Sequence, residues 1–117
     1  MRDERVYLQH IRECLGALER YAADGREAFL RDRKTQKAVL RELQELAEST
    51  QRLSPSLKER HPEIPWTAIT GFRNVLVHDY LGLSLERVWS ILERDLPPLR
   101  LAVETMLGEL GTGKADQ

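Results

Sequence analysis

The segment RNVLVHDY holds three side chains that could act together on a phosphodiester. Arg73, His78 and Tyr80 lie in a mostly apolar run, with Asn74 and Asp79 between them. Histidine can give and take protons near neutral pH, and the planar, permanently charged guanidinium of arginine matches the oxygens of a phosphate. Such a set suits RNA cleavage without a metal ion. A 2′-hydroxyl attacks the adjacent phosphorus, the histidine moves a proton, and the arginine stabilises the anionic phosphorane.

Helical geometry determines how these side chains can meet. Asn74 and His78 are four residues apart and share one face of a helix, whereas Arg73 and His78 are about 140° apart at ~3.6 residues per turn. Tyr80 lies where the helix must end, ahead of Gly82, so its ring can turn back towards the imidazole. One histidine supplies one acid or one base. We therefore expect a homodimer that places two copies of this helix end at its two-fold axis.

A purely structural role for the same residues remains an alternative. Arg73 could form an ion pair with a neighbour such as Asp79 or Glu63, and His78 could donate a hydrogen bond to a carbonyl group. The spacing of the residues does not by itself decide between the two interpretations.

The remaining sequence predicts a helical scaffold for this segment. Apolar residues recur at spacings of three and four almost throughout, and no period of two is seen. The pattern predicts a first helix over about 3–23 and a long second helix from after Gly25 to about Leu53. A loop with three prolines follows, in which Ser56 and Glu59 could cap a short turn.

Two further helices complete the predicted scaffold. Pro65 suits the first position of the third helix, and Ser84 suits the N-cap of the fourth. Pro97 and Pro98 must kink or break this last helix. We expect an all-α fold, an antiparallel bundle of four to five helices, with one domain over residues 1–110 and a flexible tail over 111–117.

Composition restricts the class of protein. The chain has 117 residues, a net charge of −1 and one cysteine, Cys14. No disulfide can form within such a chain, no global charge favours nucleic acid or membrane, and no apolar run approaches the ~18 residues of a membrane span. We expect a cytoplasmic protein without cofactors.

Other candidate residues have simpler explanations. The start of the second predicted helix is basic, with Arg26, Arg31, Arg33, Lys34, Lys37 and Arg41. This segment could bind along RNA phosphates. The alternative is a solvated helix face with Asp32 and Glu27 as local partners. Both tryptophans, Trp66 and Trp89, are expected in the core. His10 and His61 are isolated in sequence, and we expect them at the surface or in loops. No Cys/His cluster has zinc-ligand spacing, so no metal site is expected.

The motif and its setting resemble a known family. The string from Arg73 to Tyr80 is similar to the R-x-x-x-x-H-x-Y motif of HepT proteins, in the HEPN superfamily of all-helical ribonucleases. The surroundings also resemble that family: Pro65-Trp66 opens the motif helix, and Trp89 and the segment ERDLP follow it. The resemblance covers nearly the whole chain.

This resemblance implies a function and a partner. HepT proteins are toxins of toxin–antitoxin modules, and they act as homodimers whose shared cleft cuts RNA without metal. The resemblance makes Arg73 and His78 catalytic and Asn74 an orienting residue, with Asp79 adding a negative charge beside the phosphate. The antitoxin, MntA, is a small nucleotidyltransferase that transfers AMP to the motif tyrosine, here Tyr80. The alternative is a non-catalytic module that docks a nucleotidyltransferase and binds RNA or nucleotide.

Overall fold

The chain is helical in every regular element that the structure describes. The computed structural model describes residues 3–78 and 82–115, with side chains as far as residue 111. Its α-helices are α1 Glu4–Tyr21, α2 Arg26–Arg31, α3 Arg33–Gln51, α4 Pro55–Glu59, α5 Trp66–His78, α6 Leu85–Ser90 and α7 Leu96–Ala115. A π-helical segment, Ile91–Asp95, joins α6 to α7. No strand occurs among these residues, which confirms the predicted all-α class.

The long helices α1, α3 and α7 pack side by side. Two side-chain contacts show that α1 and α3 are antiparallel: Glu4, at the start of α1, contacts Ser54, just beyond the end of α3, and His10 contacts Ser49 within α3. Two arginine–glutamate pairs relate α1 and α7 in the same antiparallel way, Glu19 with Arg100 and Arg12 with Glu104. These contacts lie within one chain, and the predicted association of two chains as a homodimer stays a prediction.

The core lies between these helices and the motif helix α5. Leucine, isoleucine and valine from α1, α3 and α7 are almost fully buried, and the deepest are Leu8, Ile11, Leu15, Leu18, Val39 and Val103. Burial of each such side chain stabilises the fold by about 1.5–3 kcal/mol relative to exposure. From α5, Leu76 reaches the core, while Ile69 and Phe72 pack against it. The core therefore fixes one side of the motif helix.

The expectation of one long second helix is wrong at Asp32. The backbone of Asp32 is extended, with φ −113° and ψ 100°, and separates α2 from α3. Its carboxylate accepts hydrogen bonds from the backbone N–H of Lys34 and the hydroxyl of Thr35, at 3.1 and 2.7 Å. An aspartate in this position caps a new helix, since it satisfies N–H groups that have no partner within the helix.

The short turn in the loop is capped two residues earlier than predicted. The Ser54 hydroxyl, not that of Ser56, accepts a hydrogen bond from the Leu57 backbone N–H at the start of α4. Pro55 occupies the first helical position, where its missing N–H leaves no hydrogen bond unmade. Ser84 caps α6 as predicted, accepting from the backbone N–H of Arg87 at 3.3 Å.

The two prolines change the helix type rather than ending the helix. The π-helical segment directly precedes them, and the Leu96 backbone N–H bonds to the Ile91 carbonyl, five residues back. Proline has no N–H and crowds the carbonyl four residues before it. A wider turn at this point accommodates both effects, and α6 passes into α7 with helical dihedrals on both sides.

α7 extends beyond the predicted domain limit. It runs to Ala115, into the segment that we expected to be a tail.

Of the helices described, α7 included, none combines the length and apolar character needed to cross a bilayer.

Candidate functional site

The motif helix α5 is fixed at its start by a tryptophan. The indole N–H of Trp66 donates hydrogen bonds to the carbonyl groups of Lys58 and His61, both at 3.1 Å. The Ile69 backbone N–H bonds to the Pro65 carbonyl at 3.0 Å, so Pro65 lies just ahead of the first turn, close to its predicted position. These contacts tie α5 to the preceding loop and orient the motif that follows.

Arg73 is held by a carboxylate from another helix. Its Nη2 donates to Oε2 of Glu48 on α3 at 3.3 Å, and its Nη1 donates to Oδ1 of Asn74 at 3.3 Å. The Arg73 side chain keeps 30% of its surface exposed. Its Nε is buried and has no hydrogen-bond partner among the described residues. The guanidinium is therefore oriented by Glu48 and still accessible.

The sequence did not predict Glu48 as the partner of Arg73, although the segment that holds Glu48 resembles the second helix of the HepT family. For a purely structural Arg73, the predicted ion-pair partner was Asp79 or Glu63. Glu63 instead lies beside His61, with its Oε2 3.3 Å from His61 Nδ1. Gln44, one turn before Glu48 on α3, donates to the same Oε2 oxygen of Glu48 at 3.5 Å. The pair joins residues 25 apart in sequence, and no local pattern gives that distance.

His78 and Asn74 lie on the exposed side of α5. Both are exposed, one helical turn apart, as the spacing predicted. His78 makes no hydrogen bond or ion pair with any residue that the structure describes. Val75 and Val77 are also open to solvent, each 38% exposed. Arg73 and His78 thus flank one broad side of the helix, and the described residues of one chain leave this side uncovered.

Two of the predicted site residues lie outside the described residues. These are Asp79, predicted as a supporting residue, and Tyr80, predicted as the site of modification. Both follow His78 directly in the chain, and their roles stay predictions.

The other candidates are placed as structural residues. Arg26 pairs with Glu27 and Glu86, as expected for a solvated basic face, whereas Asp32 caps α3. Trp89 is half-buried and packs on Phe29, with ring centroids 5.7 Å apart, so its predicted core role is confirmed. Trp66 is likewise packed against the core.

Two features appear only in three dimensions. An apolar groove of about 410 Å³ lies between α3, α5 and the start of α7, and Leu46, Phe72 and Leu99 are among its lining residues.

Separately, His10 and Cys14 on α1 meet Glu45 on α3, with their ligand atoms within 4.8 Å of one another. The spacing of four between His10 and Cys14 was the available sequence signal. His10 is not a simple surface residue, and His61, in its loop, is buried.

Comparison with known proteins identifies the family. The model of the family described as "Ribonuclease HepT-like" matches residues 11–106, which include Arg73, Asn74 and His78. The chain belongs to the ribonuclease HepT-like family. The resemblance noted in the motif is therefore confirmed.

Relatives of this HepT-like chain carry related names. "Putative RNase TTE0752" of Caldanaerobacter subterraneus subsp. tengcongensis is 32% identical over 92% of this chain and 96% of its own length. "Probable ribonuclease HepT" of Thermococcus cleftensis is 34% identical over 85% of this chain and 91% of its own length. No solved structure matches the chain.

Proposed function

We propose that this HepT-like protein is an RNA-cleaving toxin, a metal-independent endoribonuclease with Arg73 and His78 as catalytic residues. The observation that carries the proposal is their presentation on α5: the arginine is oriented by Glu48, and the histidine is exposed and unpaired among the described residues. The family and the names of the relatives support the same activity.

The chemistry needs two copies of the motif. One imidazole takes the proton of the 2′-hydroxyl as its oxygen bonds to phosphorus, and the imidazolium of a second chain gives a proton to the departing 5′-oxygen. The products are a 2′,3′-cyclic phosphate and a 5′-hydroxyl. Arg73 stabilises the charge of the phosphorane. Exposed Val75 and Val77 beside these residues support a homodimer that closes over this side of α5.

Substitution of the two residues tests the mechanism. In EDTA, His78→Ala should slow RNA cleavage about 100- to 10,000-fold, because a positioned acid–base is lost. Arg73→Ala should slow it about 100- to 1,000-fold through lost charge stabilisation. Cleavage is followed on labelled RNA, with circular dichroism to show that each variant is folded.

Arg12→Ala serves as the matched control, because Arg12 is an exposed arginine in an ion pair at a distance from the motif in sequence. The Arg12→Ala variant should cleave RNA at the parental rate. Parent-like cleavage by both motif variants would overturn the mechanism. Tight RNA binding without products in the parent would leave the alternative, a non-catalytic module that docks a nucleotidyltransferase and binds RNA or nucleotide.

We further propose that a partner nucleotidyltransferase of the MntA type silences the toxin at Tyr80. The phenol oxygen attacks the α-phosphorus of ATP, pyrophosphate leaves, and the phenolic proton passes to solvent. The attached AMP adds bulk and negative charge two residues from His78, where RNA phosphate must bind. Intact mass after co-expression should show one added AMP per chain, absent from Tyr80→Phe. An unchanged mass in the parent would contradict this step.

A further inference from the structure

A second polar cluster lies between α1 and α3, apart from the motif residues. His10 Nε2 is 3.4 Å from Glu45 Oε1 and 3.8 Å from Cys14 Sγ. All three ligand atoms lie within 4.8 Å of one another. Two ligands at the zinc–nitrogen, zinc–oxygen and zinc–sulfur distances of a tetrahedral site are about 3.3–3.8 Å apart. Two edges of the cluster already have this length, and the third, between the thiol and the carboxylate, is no longer than 4.8 Å.

The groups around the cluster hold its side chains in a ligating orientation. His10 Nδ1 is 2.7 Å from the hydroxyl of buried Ser49, so Nε2 is directed away from that contact and towards the other two ligands. Arg41 Nε donates to Glu45 Oε2 at 2.8 Å, which leaves Oε1 on the side of His10. Metal-binding histidines and carboxylates in proteins are oriented by such outer hydrogen bonds.

The cluster is negatively charged and reachable. The carboxylates of Glu42, Glu45 and Glu13 lie near the Cys14 thiol. The same carboxylates favour a cation near the sulfur. His10 and Glu45 also line a polar cavity of about 440 Å³, which gives an ion a path from solvent and room for a water ligand.

We propose that His10, Cys14 and Glu45 form a zinc site that links α1 to α3. Imidazole, thiolate and carboxylate are ligands that zinc accepts together, and water supplies the fourth position. The thiol proton is released to solvent when the ion binds. The site joins two helices of the core, and neither Arg73 nor His78 is among its ligands, although Glu48 lines the same cavity. It therefore stabilises the fold and takes no part in proton transfer at His78.

Metal titration of the full chain tests the site. One equivalent of Zn²⁺ should remain with the protein through gel filtration and raise its melting temperature. Co²⁺ should give thiolate-to-cobalt charge-transfer absorption, which requires Cys14 as a ligand. Mg²⁺ should do neither, since it is a hard ion that prefers oxygen ligands.

Matched variants separate a zinc site from a simple polar cluster. His10→Gln and Glu45→Gln change half-exposed side chains and should abolish retention of the ion, and Ser49→Ala should weaken binding about 10- to 100-fold. His61→Gln is the control, because His61 lies between the carboxylates of Glu63 and Glu109 but without a thiol. Absence of zinc from the parent, or equal binding by the parent and Glu45→Gln, would overturn the site. RNA cleavage in EDTA is a separate result and decides only the proposed nuclease.

Discussion

Arg73 shows how a single catalytic candidate depends on a distant partner. The motif gives its identity, but its orientation comes from Glu48 on α3, 3.3 Å from the guanidinium. The carboxylate has two opposite consequences for the chemistry: it positions the arginine, and it partly neutralises the charge that a phosphate would meet. Because the pair is 30% and 42% exposed, it stabilises the fold only weakly, by about 0–1 kcal/mol.

We therefore expect Glu48 to act as a positioning residue. Glu48→Ala should reduce the free energy of unfolding by at most about 1 kcal/mol in urea. It should lower kcat for RNA cleavage on the order of 100-fold, because the guanidinium is misplaced. Glu48→Gln keeps an oxygen acceptor for Arg73 and should recover part of that loss. If Glu48→Ala cuts RNA at the parental rate, the positioning role is wrong.

Asp32 shows that one residue can decide where a helix ends. The predicted unbroken helix placed Phe29 and Leu40 on one apolar stripe although residues 31–37 between them are all polar. Within that polar stretch the aspartate carboxylate caps α3, and the backbone of the aspartate is extended. The hydrogen bond that the carboxylate accepts from the Thr35 hydroxyl, followed by those from the backbone N–H groups of Thr35 and Lys34, lowers the pKa of Asp32. A periodicity argument weighs only burial, and so it misses a polar cap inside the run. At Pro97 and Pro98, where a kink or break was predicted, a π-helical turn precedes the prolines and the helix continues.

Because the Asp32 carboxylate caps α3, its removal should destabilise the protein by an amount that depends on pH. Asp32→Ala should lower the urea midpoint at neutral pH, whereas Asp32→Asn, which can still cap, should lower it less. Since the folded-state pKa lies below the ordinary value of 3.8, the charged cap contributes its full stability above that value. The contribution is lost as pH falls through the folded-state pKa. Urea unfolding of parent and Asp32→Ala should therefore converge at acid pH. A difference that is constant with pH would contradict a role for the carboxylate charge.

At the scale of the molecule, none of the residues that the structure describes covers the functional side of α5. Arg73, Val75, Val77 and His78 all retain exposed surface, although the opposite side of the same helix is buried through Leu76. Apolar side chains beside catalytic candidates are typical of a surface that another chain covers. This arrangement agrees with the proposed dimer, in which each chain supplies one imidazole.

A charge at this surface should separate the chains. Val75→Glu should shift the protein from dimer to monomer in sedimentation at micromolar concentration and abolish RNA cleavage, because a buried, unpaired carboxylate strongly disfavours association. Leu101→Glu is the control, since Leu101 is 72% exposed on α7 and should leave both properties unchanged. A parent chain that sediments as a monomer, or an active monomeric Val75→Glu, would contradict the composite site.

The sequence by itself determined the helical class, the motif helix with Asn74 and His78 on one face, and the family resemblance. These features depend on residue type and on spacings within one or two helical turns. Helical geometry determines which residues at such spacings share a face of the helix. Only the tertiary structure decided that Glu48 holds Arg73, and that Glu45 joins His10 and Cys14. Such contacts join residues from different helices, and their distances follow from how the helices pack rather than from any local spacing.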